Sequence, residues 1–344
     1  GENAPGKYDG KFDAAPDIDH ANPKVQRSIE IWLRWLRLDV GFDAWRFDFV
    51  KGYSAEYVGQ YCRKSEPAWA IGELWCDMQY DDQGLAYNQD KHRQDTCNWI
   101  NATGKASTAF DFTTKGILQE AVRNRQYWRL RDASGKPPGL LGWMPKYAVT
   151  FLDNHDTGST QKHWPFPDDK ILVGYAYILT HPGIPSIFWD HIMDYSDDVQ
   201  RGIRDLIKAR RDAGISVDAP VNIKSADHDL YVAEIGRPAG LRVALGPRDA
   251  GHVDRGYWTD VVAGRDCRVW VHKASQNADR AAGPQNAFRP EPRSEVTVAP
   301  NVVAAKEKAP AGLLRVRVAA RFVSSANSRV VVCGEAPSVG SWNP

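Results

Sequence analysis

The sequence predicts an α/β protein in which a parallel sheet with helices outside it is followed by a small antiparallel domain. Three observations carry this. Apolar runs of strand length alternate with helical patterns five times between Gly41 and Gly214, the order expected of a parallel sheet. The first four of these runs carry an acid at their carboxyl ends: Asp48, Glu73, Asp111 and Asp156. From about Ser225 the pattern shifts to short alternating strands separated by turn residues, as in LYVAEI, LRVALG and CRVWVHK, ending near Lys273.

In chain order, residues 1–22 are rich in Gly, Pro, Asn and Asp, and FDAAPDIDH holds Asp13, Asp17 and Asp19 at nearly alternate positions. Clustered oxygen ligands of this kind suit calcium, and a polar surface loop has the same composition. Asn22-Pro23 then supplies a cap and a first-turn proline for a helix with Val25, Ile29, Trp32, Leu33 and Leu36 on one face. The stretch GFDAWRFDFVKGYS (Gly41–Ser54) follows, a nearly continuous apolar run of the sort that is buried on both faces of a sheet. Its Arg46-x-Asp48 pair requires a reason, because an unpaired buried carboxylate costs several kcal/mol. Taken alone, the pair reads equally as a structural salt bridge or as part of a site.

A helix is predicted over Ser54–Arg63, strands over Ala68–Trp75, Ser107–Phe112, Tyr147–Asp156 and Ile184–Asp190, and further helices over 114–122, from Asp168 through Leu179, and over 199–213 up to Gly214. In parallel α/β sheets the carboxyl ends of the strands are where sites are built. Four acids at equivalent places therefore favour a site over a chance salt bridge.

With 344 residues, 42% of them hydrophobic and 25% charged, the chain has the composition of a soluble globular protein of two or three domains. A net charge of +1 gives no reason to expect a nucleic-acid partner. Cys62, Cys76, Cys97, Cys267 and Cys333 show no CxxC spacing, so neither zinc nor a disulfide framework is implied. No apolar run is long enough for a membrane span and no leader is visible.

GFDAWRFDF, AIGELW and FLDNHDTGS resemble, in this order, three signature segments of the α-amylase family of glycoside hydrolases, family 13, and AAPDIDH, DFTTKGIL and GYAYILTHPGIP resemble its plant-type members. The resemblance covers most of residues 12–272. It implies a (β/α)8 TIM barrel and the endo-hydrolysis of α-1,4-glucosidic bonds in starch, amylose and maltooligosaccharides by a retaining double displacement. Asp48 would be the nucleophile, Glu73 the general acid/base and Asp156 the acid that stabilises the transition state. Arg46 would hold Asp48 ionised, His155 would bind a sugar hydroxyl, and Lys51 and Trp75 would line the downstream side. Trp143 and Tyr231 match sugar contacts outside the cleft. Asp17, with the carbonyls of Ala15 and Gly52, matches a structural Ca2+ site, although Lys11 stands where the family pattern has another acid.

The chemistry asks for the same inventory. A retaining glycosidase needs one carboxylate to attack and one carboxylic acid to protonate the leaving oxygen, about 5–5.5 Å apart. Arg46 lies on the same strand face as Asp48, and Glu73 sits among Ile71, Leu74 and Trp75, an apolar setting that raises a carboxyl pKa.

A closed barrel needs eight strand-helix units. Five are legible, so strands four to eight are expected here, without the family's first signature segment, an Asp followed by Asn-His. The expected organisation is the end of a calcium-binding loop domain (1–22), the carboxyl-terminal part of the barrel (23–214), an antiparallel β domain (215–273), a linker (274–312) and part of a starch-binding module (313–344). The last is expected because SRVVVCGEAPSVGSWNP resembles the opening of a family 20 module. A monomer is expected, and both extracellular and plastid locations fit. A 4-α-glucanotransferase on the same fold and a non-catalytic starch-binding protein are the rival readings.

Overall fold

The computed structural model describes residues 18–82, 84–276 and 331–333. Helix α1 (Pro23–Trp35) opens on Asn22, whose side chain accepts the Lys24 N–H at 2.9 Å, satisfying one of the donors left bare at a helix start. A wider turn over Leu36–Val40 ends at Gly41, whose φ of +96° suits a residue without a side chain. Strand β1 (Ala44–Phe47), helix α2 (Ala55–Ser65) and strand β2 (Trp69–Gly72) form the first strand-helix-strand unit. A small hairpin, β3 (Tyr80–Asp81) and β4 (Gly84–Leu85), and helix α3 (Asp90–Ala102) lead to β5 (Thr108–Phe110). Next come α4 (Phe112–Asn124), the short α5 (Leu140–Trp143), β6 (Ala148–Thr150), α6 (Ile171–Thr180), β7 (Ile184–Phe188), the short α7 (Trp189–Met193) and α8 (Asp197–Asp212).

Strands β1, β2, β5, β6 and β7 lie side by side in that order, all parallel. This is the sheet of a partial (β/α)8 TIM barrel. Its inner face is filled by Ile71, Phe110, Phe112, Val149 and Phe151, and its outer face packs on the helices through a larger apolar core. Gly72 has no side chain for a visible reason: a Cβ there would meet the Trp99 ring of α3 at 2.3 Å.

The second unit is a five-stranded antiparallel sheet made from β8 (Val221–Ala226), β9 (Tyr231–Ile235), β10 (Leu241–Leu245), β11 (Trp258–Gly264) and β12 (Cys267–His272), in the order β11-β12-β10-β9-β8. The short helix α9 (Lys273–Gln276) follows. Of the expected carboxyl-terminal module only Val331–Cys333, strand β13, is described; its backbone pairs in parallel with β7, Val331 opposite Ser186. The rest of that module and the linker lie outside the described residues.

Helix α6 joins the two units. Every residue from Val173 to Thr180 is buried, because the helix packs against α4 and α8 on the barrel side and against β10 and β12 beyond. The loop after it is pinned by Arg210 of α8, which donates to the carbonyls of Leu179 at 3.1 Å, Gly183 at 2.8 Å and His181. His181 is wholly buried; burial pushes its pKa down to about 3, so the ring is neutral. Its Nδ1 meets the Tyr177 carbonyl at 2.9 Å and its Nε2 meets the Tyr231 hydroxyl at 2.8 Å.

This corrects the expectation for Tyr231. The residue is 0% exposed, so it holds the β domain to the barrel and cannot contact sugar at the surface. The largely apolar run Tyr231–Ile235 marks a strand but not which face meets the barrel. Tyr231→Phe is expected to leave a buried His181 nitrogen unpaired and to cost roughly 1–3 kcal/mol in urea unfolding.

Candidate active site

The site begins with the register of β1 on β2. Phe47 pairs with Gly72, so Asp48 and Glu73, one residue further on each strand, leave the sheet side by side. Neighbouring strands lie about 4.8 Å apart, which sets the scale of the separation. Two further bonds lock these ends together: the Glu73 N–H donates to the Phe47 carbonyl at 2.9 Å, and the Val50 N–H donates to the Glu73 carbonyl at 3.1 Å. Phe49 makes the second possible by turning the chain sharply. Its φ of 44° is a left-handed value that costs a residue with a side chain on the order of 1 kcal/mol.

Arg46 bridges the two acids. One end of its guanidinium pairs with Asp48 and the other donates to Glu73 Oε1 at 2.7 Å. Glu73 is 5% exposed, whereas Asp48 faces solvent. Burial pushes the Glu73 carboxyl up to about 7; Arg46 and the Phe49 N–H pull against that, and the charges of Asp48 and Asp156 add to it. One strand-end pair thus holds an exposed carboxylate beside a carboxyl that is half protonated near neutrality, the split that acid and nucleophile roles require.

Asp156 arrives from β6. Its Oδ1 accepts from Gln161 Nε2 at 2.7 Å and its Oδ2 lies 3.3 Å from His155 Nε2. Trp75 stacks on Phe112 with ring centroids 5.2 Å apart. Lys51 lies over the Phe49 ring at 5.2 Å and close enough to Cys76 for its charge to oppose the rise that burial imposes on that thiol. The structure therefore brings Arg46, Asp48, Glu73, His155 and Asp156 to one end of the sheet, with Lys51 and Trp75 beside the β1 and β2 ends.

Trp143 stands apart, with the guanidinium of buried Arg93 3.8 Å from its ring centroid, so one ring face is already covered. The fourth strand-end acid departs from the sequence argument. Asp111 is 1% exposed and caps α4: it accepts from the Thr114 N–H and hydroxyl at 2.8 and 2.6 Å and from the N–H groups of Leu140 and Leu141 at 3.1 and 3.0 Å. Of the expected calcium ligands, Asp17 and Ala15 lie outside the described residues, and Gly52 closes the turn Val50–Gly52 just beyond β1. Among the described residues no three His, Cys, Asp or Glu side chains converge on a metal position.

A parallel sheet with bridged carboxylates at its carboxyl ends, followed by an antiparallel β domain, defines a protein of partial (β/α)8 barrel architecture. Residues 212–271 match the family described as the alpha-amylase C-terminal beta-sheet domain. The chain is 50% identical over 262 residues to probable alpha-amylase 2 of Arabidopsis thaliana, covering 76% of this chain and 62% of that one. It is 48% identical over 157 residues to the alpha-amylase type B isozyme of Hordeum vulgare, covering 45% of this chain and 98% of that one. Among solved structures, a cyclomaltodextrin glucanotransferase with a three-domain ABC distribution superposes with a TM-score of 0.56 at 18% identity, over 74% of this chain and 58% of that one. The chain belongs to the α-amylase family. It spans 62% of the length of the Arabidopsis relative.

Because Glu73 holds its proton up to about 7 in the folded protein against 4.5 in a free carboxyl, the folded state binds more protons between those values. The stability that this residue contributes is complete below the lower value and is lost as pH rises through the upper one. Glu73→Gln is expected to flatten that fall and to stabilise the protein at pH 8 by on the order of 1–3 kcal/mol. Carbon-13 NMR of the Glu73 carboxyl is expected to give a midpoint near 7, moving higher in Arg46→Gln.

Proposed function

We propose that this chain supplies the catalytic strand ends of an α-amylase that hydrolyses internal α-1,4-glucosidic bonds of starch, amylose and maltooligosaccharides with retention. The observation that carries the reading is the Arg46 bridge between a solvent-facing Asp48 and a buried Glu73. In the first step Asp48 attacks the anomeric carbon while Glu73 gives its proton to the leaving glucosidic oxygen, forming a glycosyl ester on Asp48. In the second step Glu73, now ionised, takes a proton from water, the hydroxide adds at the same carbon, and Asp48 leaves as carboxylate. Asp156 and His155 hold sugar hydroxyls and stabilise the positive charge that develops on the ring. Lys51 and Trp75 line the path of the leaving chain.

We propose further that three strand-helix units complete the barrel against β1. Among the described residues β1 has no strand on its outer edge, and Trp32 and Trp35 of α1 and Leu38 and Phe42 of the segment leading to β1 are exposed, apolar surface of the kind that a partner covers. A calcium ion held by Asp17 and the carbonyls of Ala15 and Gly52 would tie residues 1–22 to the turn after Asp48 without entering the chemistry. The support for it is the AAPDIDH segment and the place of Gly52 directly after the nucleophile strand. A starch-binding module beginning in SRVVVCGEAPSVGSWNP would add affinity for granules.

Release of reducing ends from a blocked maltoheptaoside, with product anomers followed by NMR, tests the reading on this chain and on one extended upstream through the three units. The extended chain is expected to release α-anomers and this chain to be inactive or nearly so. Transfer to a free acceptor sugar instead of water would make the enzyme a glucanotransferase, and binding without turnover would make it a starch-binding protein. Asp48→Asn is expected to lower the rate at least about 10³-fold. The alkaline limb of kcat/KM is expected to fall with an apparent pKa near 7, since Glu73 must be protonated in the free enzyme. Chelation with EDTA is expected to lower the melting temperature, with recovery on adding Ca2+.

A further inference from the structure

The four residues Asn154–Thr157 carry His155 and Asp156 to the site on a turn built from its own polar atoms. Asn154 Oδ1 accepts from the N–H groups of Asp156 and Thr157 at 3.0 and 2.9 Å, and Thr157 Oγ1 accepts from the Asn154 N–H at 3.0 Å. The Thr157 hydroxyl then donates to Asp153 Oδ1 at 2.9 Å. Asp153 is thus the post to which the turn is tied.

That post is held from several directions. Lys115 Nζ, from α4, approaches Asp153 Oδ1 at 3.3 Å; His191 Nε2, from α7, approaches Oδ2 at 3.4 Å; the Phe166 N–H donates at 3.1 Å. Burial alone would raise the Asp153 carboxyl, yet the bond from His191, the charge of Lys115 and the Phe166 N–H outweigh it and hold the group below the ordinary carboxylate range. Lys115 is held in turn, donating to Gln119 Oε1 at 2.8 Å with its ammonium 4.8 Å from the Trp164 ring centroid. His191 is held from behind as well: the Tyr175 hydroxyl, which accepts the Phe188 N–H at 3.1 Å, lies 2.9 Å from His191 Nδ1, so the ring is clamped between Tyr175 and Asp153.

Lys115, Asp153 and His191 are 0%, 4% and 2% exposed, so none of them meets substrate. A buried Lys–Asp pair is also a weak source of stability, since an apolar pair of the same shape often serves as well. What the network does have is a path to the site: Asp153 directly precedes the turn in the chain and accepts the Thr157 hydroxyl within it. We propose that Lys115 and His191 are positioning residues that fix the orientation of Asp156, acting through Asp153 and Thr157. The proposal rests on the amylase reading for its chemical half, and on the hydrogen bonds alone for its structural half.

The test uses the protein extended through the complete barrel, with Lys115→Met as the variant, and reads two quantities. Amide exchange at Asp156 and Thr157 is expected to quicken about tenfold. The value of kcat is expected to fall about tenfold or more with KM within about twofold, because misorientation acts on the transition state. In an Asp156→Asn background the same substitution is expected to cost little in kcat, which a role in stability alone would not produce. Unchanged exchange at the turn, or a loss of kcat that persists in full beside Asp156→Asn, overturns the proposal. Should Lys115→Met not fold, Thr157→Val removes the same line from the other end and is read in the same way. If the unsubstituted protein does not cleave glucan, the amylase reading falls, and amide exchange still decides whether Lys115 holds the turn.

Discussion

The site depends on one guanidinium placed between two carboxyl groups that would otherwise repel. Arg46 can serve both because the β1–β2 register brings Asp48 and Glu73 out of the sheet together. Their surroundings are unequal: Asp48 lies in solvent, while Glu73 is enclosed by the strand ends, and that burial raises the Glu73 carboxyl. The asymmetry follows from geometry: the two acids are chemically similar and differ in how much water each keeps. The turn at Phe49 belongs to the same construction, since its strained backbone brings N–H groups against Glu73.

Much of this was legible in the sequence, and the reasons are particular. The five parallel strands show because each is apolar across both faces, and the acids at their ends interrupt runs that are otherwise continuous. The end of α8 shows in Gly214, at φ +60°, and the start of α1 in Asn22-Pro23. Helix α3 did not show. Its sequence DKHRQDTCNWINA lacks a clean apolar stripe because His92 and Arg93 occupy core positions, His92 bonded to Thr113 at 2.8 Å and Arg93 to Asp132 and the Pro137 carbonyl, both at 3.0 Å. Polar residues buried at core positions erase the period that marks a helix. The hairpin β3–β4 and strands β8 and β11 do not stand out because they are short or only half-buried.

The acids teach a similar lesson. Position at a strand end brings Asp48, Glu73 and Asp156 to one end of the sheet, whereas the oxygens of Asp111 are spent on the amides of α4 and α5. An N-cap three residues before Thr114 was the signal available. The reverse error concerns Lys115 and Asp153. A lysine inside the apolar stretch FTTKGILQEAV marked a buried charge that needed a partner, but nothing in the sequence said that the partner would come from the next strand, 38 residues on.

Helix α6 has a consequence for how the molecule can be divided. A helix that is apolar all round has no face to offer water, and this one is roofed by the β domain as fully as it is floored by the barrel. The two units are separate in topology and inseparable in folding: cutting the chain after α8 would strip a hydrocarbon column bare. The antiparallel sheet is therefore less an appendage to the barrel than the other wall of its last helical layer.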